Sequence, residues 1–498
     1  MPQPWHAMAM AINTTLLFTP EAMAKVDARV IASGIPGPEL MRAAGASVVA
    51  CLLSSWPNVA RAVVLCGPGN NGGDGHIAAS LLAAFGVPVL RHGYAPRSGT
   101  DAAAASATCE HAILPLGDYR PLAGDVVIDA LFGAGLDRAV GAEVAAVIGR
   151  IAEAGTPVLA IDLPSGLSGR TGRPTGPVIS AERTVTFAGL KPGHVLMPGR
   201  ELCGVTTLAD IGMPARLVAS DDPLWINGPH LYGPTLPRRE AADHKYSRGH
   251  LAVMSGPLIS GGAARLSAMA GLRIGAGLVT LGTPPGAVMA QSAHLTAIMQ
   301  HRVGSSADLA AWLSDPRLSA LVLGPGFGDL EKARDYAKVL ANARRYLVLD
   351  ADGLTAFAGR TGELGDMFAG ETRLVITPHE GEFRRLFPAI AEDETLSKVD
   401  RARQAAALLN AVVVYKGADT VIAASDGRAA INADAPPWLA TAGSGDVLSG
   451  VIGGLLAQSM PIFEAACAGV ALHGAAASQA GPGMTAEDLA GLVRPPAV

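Results

Sequence analysis

Aromatic residues are scarce in this chain, at 4% of 498 residues, while glycine is abundant at 60. That balance disfavours an aromatic-rich core and suits α/β architecture with many tight turns. Positive charge is also in short supply: 38 Lys and Arg stand against 43 Asp and Glu, for a formal charge of −5, and no long basic run occurs. Nucleic-acid binding is therefore disfavoured as a main role. A polyanionic ligand would have to be held by backbone amides, helix N-termini and a few Lys or Arg. Cysteine is limited to Cys51, Cys66, Cys109, Cys203 and Cys467, scattered, without zinc spacing or a disulfide framework, which fits a reducing cytoplasm. Met1 to Phe18 lacks a positive segment followed by a clean apolar stretch, so no secretory signal is expected. The longest uncharged stretches, such as Val447 to Phe463, are broken by Gly, Ser, Gln and Pro and read as buried helices, not membrane spans.

What is present is a repeated alternation of short β-type runs with Ala-rich helical runs. Thr19-Pro20-Glu21 reads as a helix start, with Thr as N-cap and Pro in the first helical position. Helices are expected over Glu21 to Ser33 and Pro38 to Ser54. Strands follow over 62–66, 87–90, 126–129, 158–162 and 183–187. The alternation predicts a mostly parallel sheet covered on both faces, with ligands at the carboxyl ends of the strands. Gly212 to Arg239, dense in Pro, Gly and Asp, reads as a linker, with a domain boundary near residue 222. The expected domains are thus 1–222 and 223–498. In the second, strands are expected over 250–254, 277–281, 320–323, 346–350, 374–377, 411–415 and 421–424, and long helices over 262–274, 397–410, 444–458 and 462–479.

Gly67 to Gly75 reads Gly-Pro-Gly-Asn-Asn-Gly-Gly-Asp-Gly directly behind the apolar run 62–66. Glycines let backbone N–H groups approach a ligand and permit positive φ. The neighbouring Asn and Asp oxygens suit a phosphate-bearing ligand beside a cation. Gly67, Gly69 and Gly72 fit G-x-G-x-x-G, but the next strand ends at Leu90-Arg91-His92 without the acid a dinucleotide dehydrogenase needs there. Two further strand ends carry an acid and a glycine turn: Asp129 before Phe132-Gly133-Ala134-Gly135, and Asp162 before Leu163-Pro164-Ser165-Gly166. Each Asp can also be read as a helix cap, and Asn70-Asn71 as a plain turn.

In order and spacing these three loops resemble the NAD(P)H-hydrate epimerase family, over about the first 215 residues. The resemblance implies a Rossmann-like three-layer sandwich that interconverts the R and S forms of NADHX and NADPHX with a bound potassium ion. It implies that Asn70, Asn71, Gly72, Gly73 and Asp74 contact the hydrate, that Asn71, Asp129 and Ser165 ligate potassium, and that Asp162 is the catalytic acid/base. Gly133, Ala134, Gly135, Leu136, Asp137 and Arg138 would border the ligand's phosphates. Lys191 is either a further charge toward a phosphate or a solvated surface lysine. His76 is expected to pack or face solvent. Arg42 stands where family members commonly carry Glu.

A second glycine-rich turn, Gly443-Ser444-Gly445-Asp446, opens a helix whose first N–H groups can form an anion hole beside an acid. It resembles the closing motif of the ribokinase-like superfamily. With Ser260-Gly261-Gly262-Ala263, Gly324-Pro325-Gly326, Asp350-Ala351-Asp352, Thr377-Pro378-His379 and Lys416-Gly417-Ala418-Asp419-Thr420, the match narrows to ADP/ATP-dependent NAD(P)H-hydrate dehydratases, over about residues 235–495. The resemblance implies a ribokinase-like α/β domain in which Ala263, Gly326, His379 and Asp446 contact the hydrate. Lys416, Gly417, Ala418, Asp419, Thr420 and Gly445 would hold the nucleotide, with Mg²⁺ on its phosphates. Asp446 would be the base that frees the hydrate hydroxyl to attack the terminal phosphate. His379 can also be a turn residue, and Asp350 and Asp352 either strand-end caps or magnesium ligands. The family's Gly-Asn-Pro-Gly-Met-Ala-Thr stretch is replaced by Ala433 to Thr441.

The expectation is a bifunctional cytoplasmic repair enzyme, ADP-dependent with ATP as the alternative donor, acting on small molecules, without nucleic-acid or membrane partners, and a homo-oligomer. The rivals are a small-molecule hydroxymethyl kinase and a non-catalytic nucleotide-binding first domain.

Overall fold

The computed structural model describes residues 15–238, 240 and 243–495. Residues 1–14 of the segment read for a signal, and Arg239 of the linker, lie outside the described residues. The chain divides into two compact units, Met1–Leu224 and Trp225–Val498.

The first unit is built on seven strands: β1 Arg61–Cys66, β2 Val89–Gly93, β3 Ile113–Pro115, β4 Asp125–Ala130, β5 Val158–Ile161, β6 Arg183–Phe187 and β7 Val205–Ala209. Their order is β3-β2-β1-β4-β5-β6-β7, and every pairing is parallel. Alternate residues of β1 feed two cores. Ala62, Val64 and Cys66 pack with Val48, Leu52, Ala79 and Leu82 on one face. Val63 and Leu65 pack with Val144, Val147 and Ile148 on the other. The result is three layers. Strand order reverses between β1 and β4, where Leu65 lies opposite Asp129 and Cys66 opposite Ala130, so the loops leaving both strands start at one level. That reversal is where ligand crevices form in open α/β sheets.

Three helices frame this crevice: α1 Pro20–Ala32, α2 Gly37–Ser55 and α3 Asn70–Ala84. Thr19 caps α1, its Oγ1 accepting from the Ala22 N–H at 3.2 Å. The glycine-rich loop corrects the sequence reading in two ways. First, helix begins at Asn70, so two thirds of the expected loop is the opening of α3, and His76 lies inside that helix. Second, none of its five glycines has positive φ. Their purpose is close approach: a Cβ on Gly72 would lie 1.9 Å from the Gly67 carbonyl oxygen, and one on Gly67 1.8 Å from that of Leu131. His76 is fully buried, with Nδ1 3.2 Å from Arg91, and burial beside that guanidinium lowers its pKa to about 4. β3 and β7 escaped the sequence reading. β3 is three residues ending on proline, and β7 is a partly exposed, Thr-containing strand at the sheet edge.

The second sheet has ten strands: β8 Leu224–Ile226, β9 His250–Met254, β10 Leu278–Thr283, β11 Met299–Arg302, β12 Leu318–Leu323, β13 Tyr346–Leu349, β14 Leu374–Ile376, β15 Ala411–Tyr415, β16 Thr420–Ala424 and β17 Ala429–Asn432. The order is β11-β10-β9-β12-β13-β14-β15-β16-β17-β8. Pairings from β11 to β15 are parallel, whereas β15–β16 and β16–β17 are antiparallel. Here the order reverses between β9 and β12. The Gly261–Arg273 and Ser444–Ala457 helices pack on this sheet through Ala264, Ala268, Val447, Val451 and Leu455 against Leu251, Val253 and Val322. They cross closely: a Cβ on Gly450 would lie 2.0 Å from the Ser267 carbonyl oxygen. The expected linker is partly ordered structure, since it contains β8 and the short helix Pro229–Tyr232. The flanking Pro and Gly masked a three-residue apolar strand. Among the described residues, no helix is long and apolar enough to cross a membrane. All five cysteines are free thiols.

Two candidate active sites

The first crevice is assembled by hydrogen bonds between the three loops. The Gly67 N–H donates to the Ala130 carbonyl at 2.9 Å, fixing the loop after β1 on the end of β4. Asp129 is fully buried beneath it. Its Oδ1 accepts from Ser165 Oγ at 2.7 Å and from the Leu131 N–H at 3.2 Å, and its Oδ2 accepts from the Ser165 N–H at 2.7 Å. Burial raises its pKa to about 6 despite these donors, because no Lys or Arg pairs with it among the described residues.

Asp162 follows β5 in the left-handed region, at φ 65°, a conformation Asp tolerates better than most residues. Its Oδ2 accepts from the Ala134 N–H at 2.8 Å, in the glycine turn after β4. Its Oδ1 accepts from Thr186 Oγ1 at 2.9 Å and pairs with Lys191 Nζ at 2.8 Å. Lys191 is 2% exposed and also donates to Thr186 Oγ1 at 2.9 Å. The solvated-surface reading of Lys191 is thus corrected: its ammonium is committed to the acid, not free for a phosphate. Burial opposes ionisation of Asp162, but Lys191 and the Ala134 N–H outweigh it and hold the pKa at about 2. His194 completes the shell. Its Nδ1 accepts the Lys191 N–H at 2.9 Å, so Nε2 carries the proton and donates to the Asp162 carbonyl at 2.7 Å. This neutral form agrees with a pKa lowered by burial to about 4.

Above these groups lies a cavity of about 810 Å³. Asn70, Asn71 and Asp74 line it from the first turns of α3, Gly133 to Arg138 from the glycine turn, and Asp162 and Lys191 from the floor. Gly72 and Gly73 do not line it. Gly72 lies against Gly67, and a Cβ on Gly73 would meet the Met41 side chain at 2.5 Å. Asp129 and Ser165 lie below its wall. Asn71 Nδ2 is buried without a hydrogen-bond partner. Sequence reasoning missed Thr186, His194 and Asp27, the last a cavity-lining acid on α1. Thr186 carried no signal. Asp27 did: it is an acid four residues after Met23 and four before Ile31, on an otherwise apolar helical stripe.

The second crevice forms around the N-terminus of the Ser444–Ala457 helix. Gly443 is its N-cap, at φ 86°. Lys416 Nζ pairs with Asp350 Oδ1 at 3.0 Å and lies 3.9 Å from Glu382 Oε2. A Cβ on Gly445 would lie 3.3 Å from that ammonium. Asp350 is spent on structure, its Oδ2 accepting from Ser449 Oγ at 2.6 Å and its Oδ1 from the Ala351 N–H at 2.9 Å. Asp352 Oδ2 accepts from the Gly328 N–H at 2.9 Å, tying two strand-end loops together. Asp446 is half-buried, and burial together with the Asp350 charge raises its pKa to about 6. Across the switch point, Ser260 Oγ donates to the Gly326 carbonyl at 2.6 Å, and a Cβ on Gly326 would lie 3.2 Å from that of Ala263. His379 caps the Glu380–Leu386 helix, Nδ1 accepting from the Gly381 N–H at 3.0 Å, with its ring largely exposed. Beyond Lys416, the Gly417 N–H donates to Thr420 Oγ1 at 3.1 Å, and Asp419 pairs with Lys398. Ser449, Glu382 and Lys398 were not singled out from sequence.

Each unit is thus an α/β nucleotide-handling module with one acid beside a glycine turn at its switch point. The profile of a family described as NAD(P)H-hydrate dehydratase matches residues 251–492, and that of a family described as YjeF-related protein N-terminus matches residues 37–193. The bifunctional NAD(P)H-hydrate repair enzyme Nnr of Coxiella burnetii is 34% identical over 476 residues, 94% of this chain and 95% of that one. The enzyme of the same name from Moorella thermoacetica is 37% identical over 480 residues, 90% of this chain and 88% of its own. A solved ADP/ATP-dependent NAD(P)H-hydrate dehydratase from Bacillus subtilis, co-crystallized with ATP/Mg²⁺, aligns at 28% identity with a TM-score of 0.46, over 55% of this chain and 97% of its own. The chain belongs to the bifunctional NAD(P)H-hydrate repair enzyme family.

Proposed function

We propose that the first unit equilibrates the R and S forms of NADHX and NADPHX, and that the second dehydrates the S form to NAD(P)H. The second step uses ADP, with release of AMP and phosphate. The observation that carries this reading is the pair of switch-point crevices, each offering bare main-chain amides and one acid, in a chain of this family.

In the first unit, Asp162 is the ionised carboxylate on the floor of a cavity large enough for a nicotinamide ring with its ribose. Asn70, Asn71 and Asp74 face the hydrate, and Gly133 to Arg138 border its phosphates. Asn71, Asp129 and Ser165 would hold potassium. The donors fit: the Asn71 amide oxygen, the Ser165 hydroxyl, and one buried carboxylate without a Lys or Arg partner among the described residues. The ion would supply positive charge under the glycine turn.

In the second unit, Asp446 takes the hydroxyl proton of the S hydrate, as a base whose raised pKa lies near working pH. The hydroxyl oxygen attacks the terminal phosphate, with the amides at Ser444 and Gly445 and the Lys416 ammonium on the transferring group. The C–O bond to phosphate then breaks as a proton leaves the neighbouring ring carbon, and the new C=C bond regenerates the dihydronicotinamide. Ala263, Gly326 and His379 face the hydrate, and Gly417 to Thr420 the nucleotide. Asp350 does not fit as a direct magnesium ligand, because it is already paired with the Lys416 ammonium and accepts from Ser449 and the Ala351 N–H. Mg²⁺ would sit on phosphate oxygens and water.

The test mixes both NADHX epimers with the protein, ADP and Mg²⁺, and follows NADH absorbance, with ATP in a parallel run. Complete conversion is expected. Conversion that stops at half the hydrate removes the epimerase assignment.

A further inference from the structure

The acid and the amides of the second site share the first turn of the Ser444–Ala457 helix, and the N-cap Gly443 gives that turn no side-chain hydrogen bond. Two buried donors from other helices reach it instead. His473, on the Ile462–Ala480 helix and 7% exposed, has Nε2 2.9 Å from the Ser444 carbonyl oxygen. A carbonyl oxygen only accepts, so Nε2 carries the proton. Burial lowers the ring's pKa to about 4 and keeps it neutral. Ser267, on the Gly261–Arg273 helix and fully buried, donates from Oγ to the Asp446 carbonyl at 2.7 Å. Its alternative acceptor, the Ala263 carbonyl one turn back in its own helix, is farther away at 3.2 Å. A hydroxyl has one proton to give, and the shorter contact receives it.

Each bond acts on a different part of the turn. The C=O and N–H of a trans peptide point in opposite directions. Fixing the Ser444 carbonyl therefore aims the Gly445 N–H out of the helix end, where an unpaired donor meets the crevice. A donor on that carbonyl also polarises the peptide, which strengthens its N–H toward an anion. Ser267 holds the backbone of Asp446 itself and lies one turn after Ala263, so a single helix sets the acid and the hydrate-facing Ala263. The loop before the turn is pinned in the same manner. Trp438 Nε1 donates to the Ala477 carbonyl at 2.7 Å, one turn beyond His473, and Ser444 Oγ donates to the Leu439 carbonyl at 2.8 Å. Trp438 belongs to the stretch Ala433 to Thr441 that replaces the family's Gly-Asn-Pro-Gly-Met-Ala-Thr.

We propose that His473 and Ser267 are positioning residues of the dehydration: His473 holds the amide that meets the transferring phosphate, and Ser267 holds the acid. Both act through the main chain rather than on substrate. This rests on the dehydratase reading of the second unit and names what keeps its acid and amides in place.

The test uses the full chain with S-NADHX, ADP and Mg²⁺, follows NADH absorbance, and adds a calorimetric titration with AMP. Ser267→Ala removes a single oxygen, and His473→Leu removes the imidazole donor. Each should lower dehydratase kcat by about 10-fold, less than deleting an anion-hole donor outright, because the amide and the acid remain and only their aim is lost. AMP affinity, which reports the nucleotide site without the terminal phosphate, should stay within about twofold, and epimerase activity should not change. His473→Gln, which keeps an N–H at similar reach, should recover most of kcat. A kcat within about threefold of the parent in either Ser267→Ala or His473→Leu overturns the proposal. So does a His473→Gln enzyme no faster than His473→Leu, since that marks a packing role. A loss of AMP affinity as large as the loss of kcat overturns it too, because the disturbance is then general. Failure of the parent chain to form NADH from S-NADHX sinks the dehydratase reading itself, a different result from these.

Discussion

Removing Lys191 tests whether the floor of the first site works as described. The Lys191–Asp162 pair is 2.8 Å long, with the two side chains 3% and 18% exposed. Burial works against the Asp162 charge, and Lys191 is the largest influence that sustains it. The fall of the Asp162 pKa from 3.8 to about 2 corresponds to roughly 2 kcal/mol. Because the folded pKa is depressed, this stability is present above pH ~4 and is lost as pH falls through about 2. Lys191→Met leaves burial opposed chiefly by the hydrogen bonds from the Ala134 N–H and Thr186, so the Asp162 pKa is expected to rise above its ordinary value and the sign to reverse: the variant should lose stability as pH rises. At pH 7 the expected loss is about 3 kcal/mol, at the low end for breaking a buried pair. Hydrogen exchange of peptides spanning β5 and β6 reads it out within the first unit, at pH 5 and pH 8, and peptides of the second unit serve as control. Epimerase activity should fall and dehydratase activity stay. Protection in β5 and β6 within about 0.5 kcal/mol of the parent at both pH values would refute the account of Asp162.

Asp446, with its pKa raised to about 6, should give a dehydratase kcat/KM that falls tenfold per pH unit below about pH 6, and Asp446→Asn should cost at least about 100-fold in kcat with epimerase activity intact. Gly133→Ala puts a Cβ 2.8 Å from Asp162 Oδ2 and 3.3 Å from Asn71 Oδ1; epimerase activity should drop more than about 10-fold while dehydratase activity holds, measured side by side on one preparation. Potassium, compared with lithium at equal ionic strength, should raise the first unit's melting temperature, and Asp129→Asn should abolish that difference. Lys416→Met should weaken ADP binding and lower kcat, and calorimetric titration separates the two effects; unchanged kcat would remove Lys416 from the transferring phosphate.

Six helices and the central strands were legible because each carries one unambiguous pattern, whereas the helices Asn70–Ala84, Ala142–Ala154 and Leu330–Asn342 received no limits from sequence. β6, β9 and β15 coincide with their expected limits, since each is a short run bounded by turn residues. The edge strands were not: β3, β8 and β11 have three or four residues and little apolar contrast. The antiparallel β17 was also missed, and nothing in Ala429–Asn432 distinguishes it from a turn. At the sites, strand-end acids and glycine turns could be read because their positions follow from the topology. The partners that set their charge could not. Lys191 lies 29 residues from Asp162, and Asp350 lies 96 residues before Asp446. Whether a lysine so placed is solvated or buried against an acid depends on the packing of β5, β6 and the loop after them. The glycines of 67–75 show the same limit in another form. Their need was legible, but its cause, backbone contact between the loops after β1 and β4, exists only once the two strands are paired.

The two acids are tuned in opposite directions, and the chemistry asked of each accounts for the difference. In the proposed reaction Asp446 accepts a proton from a hydroxyl, which calls for a base that is ionised near neutral pH yet not too weak; burial and the nearby Asp350 charge bring it to about 6. Asp162, paired with Lys191 and held at about 2, is nearly fixed as an anion across physiological pH. A fixed anion suits a site in which, on the proposed reading, positive charge develops on the ring. Joining the sites in one chain then follows from stereochemistry. A dehydratase confined to the S hydrate strands the R hydrate, and an epimerase alone repairs nothing. Together they convert the whole mixture, provided the first acid stays charged while the second cycles.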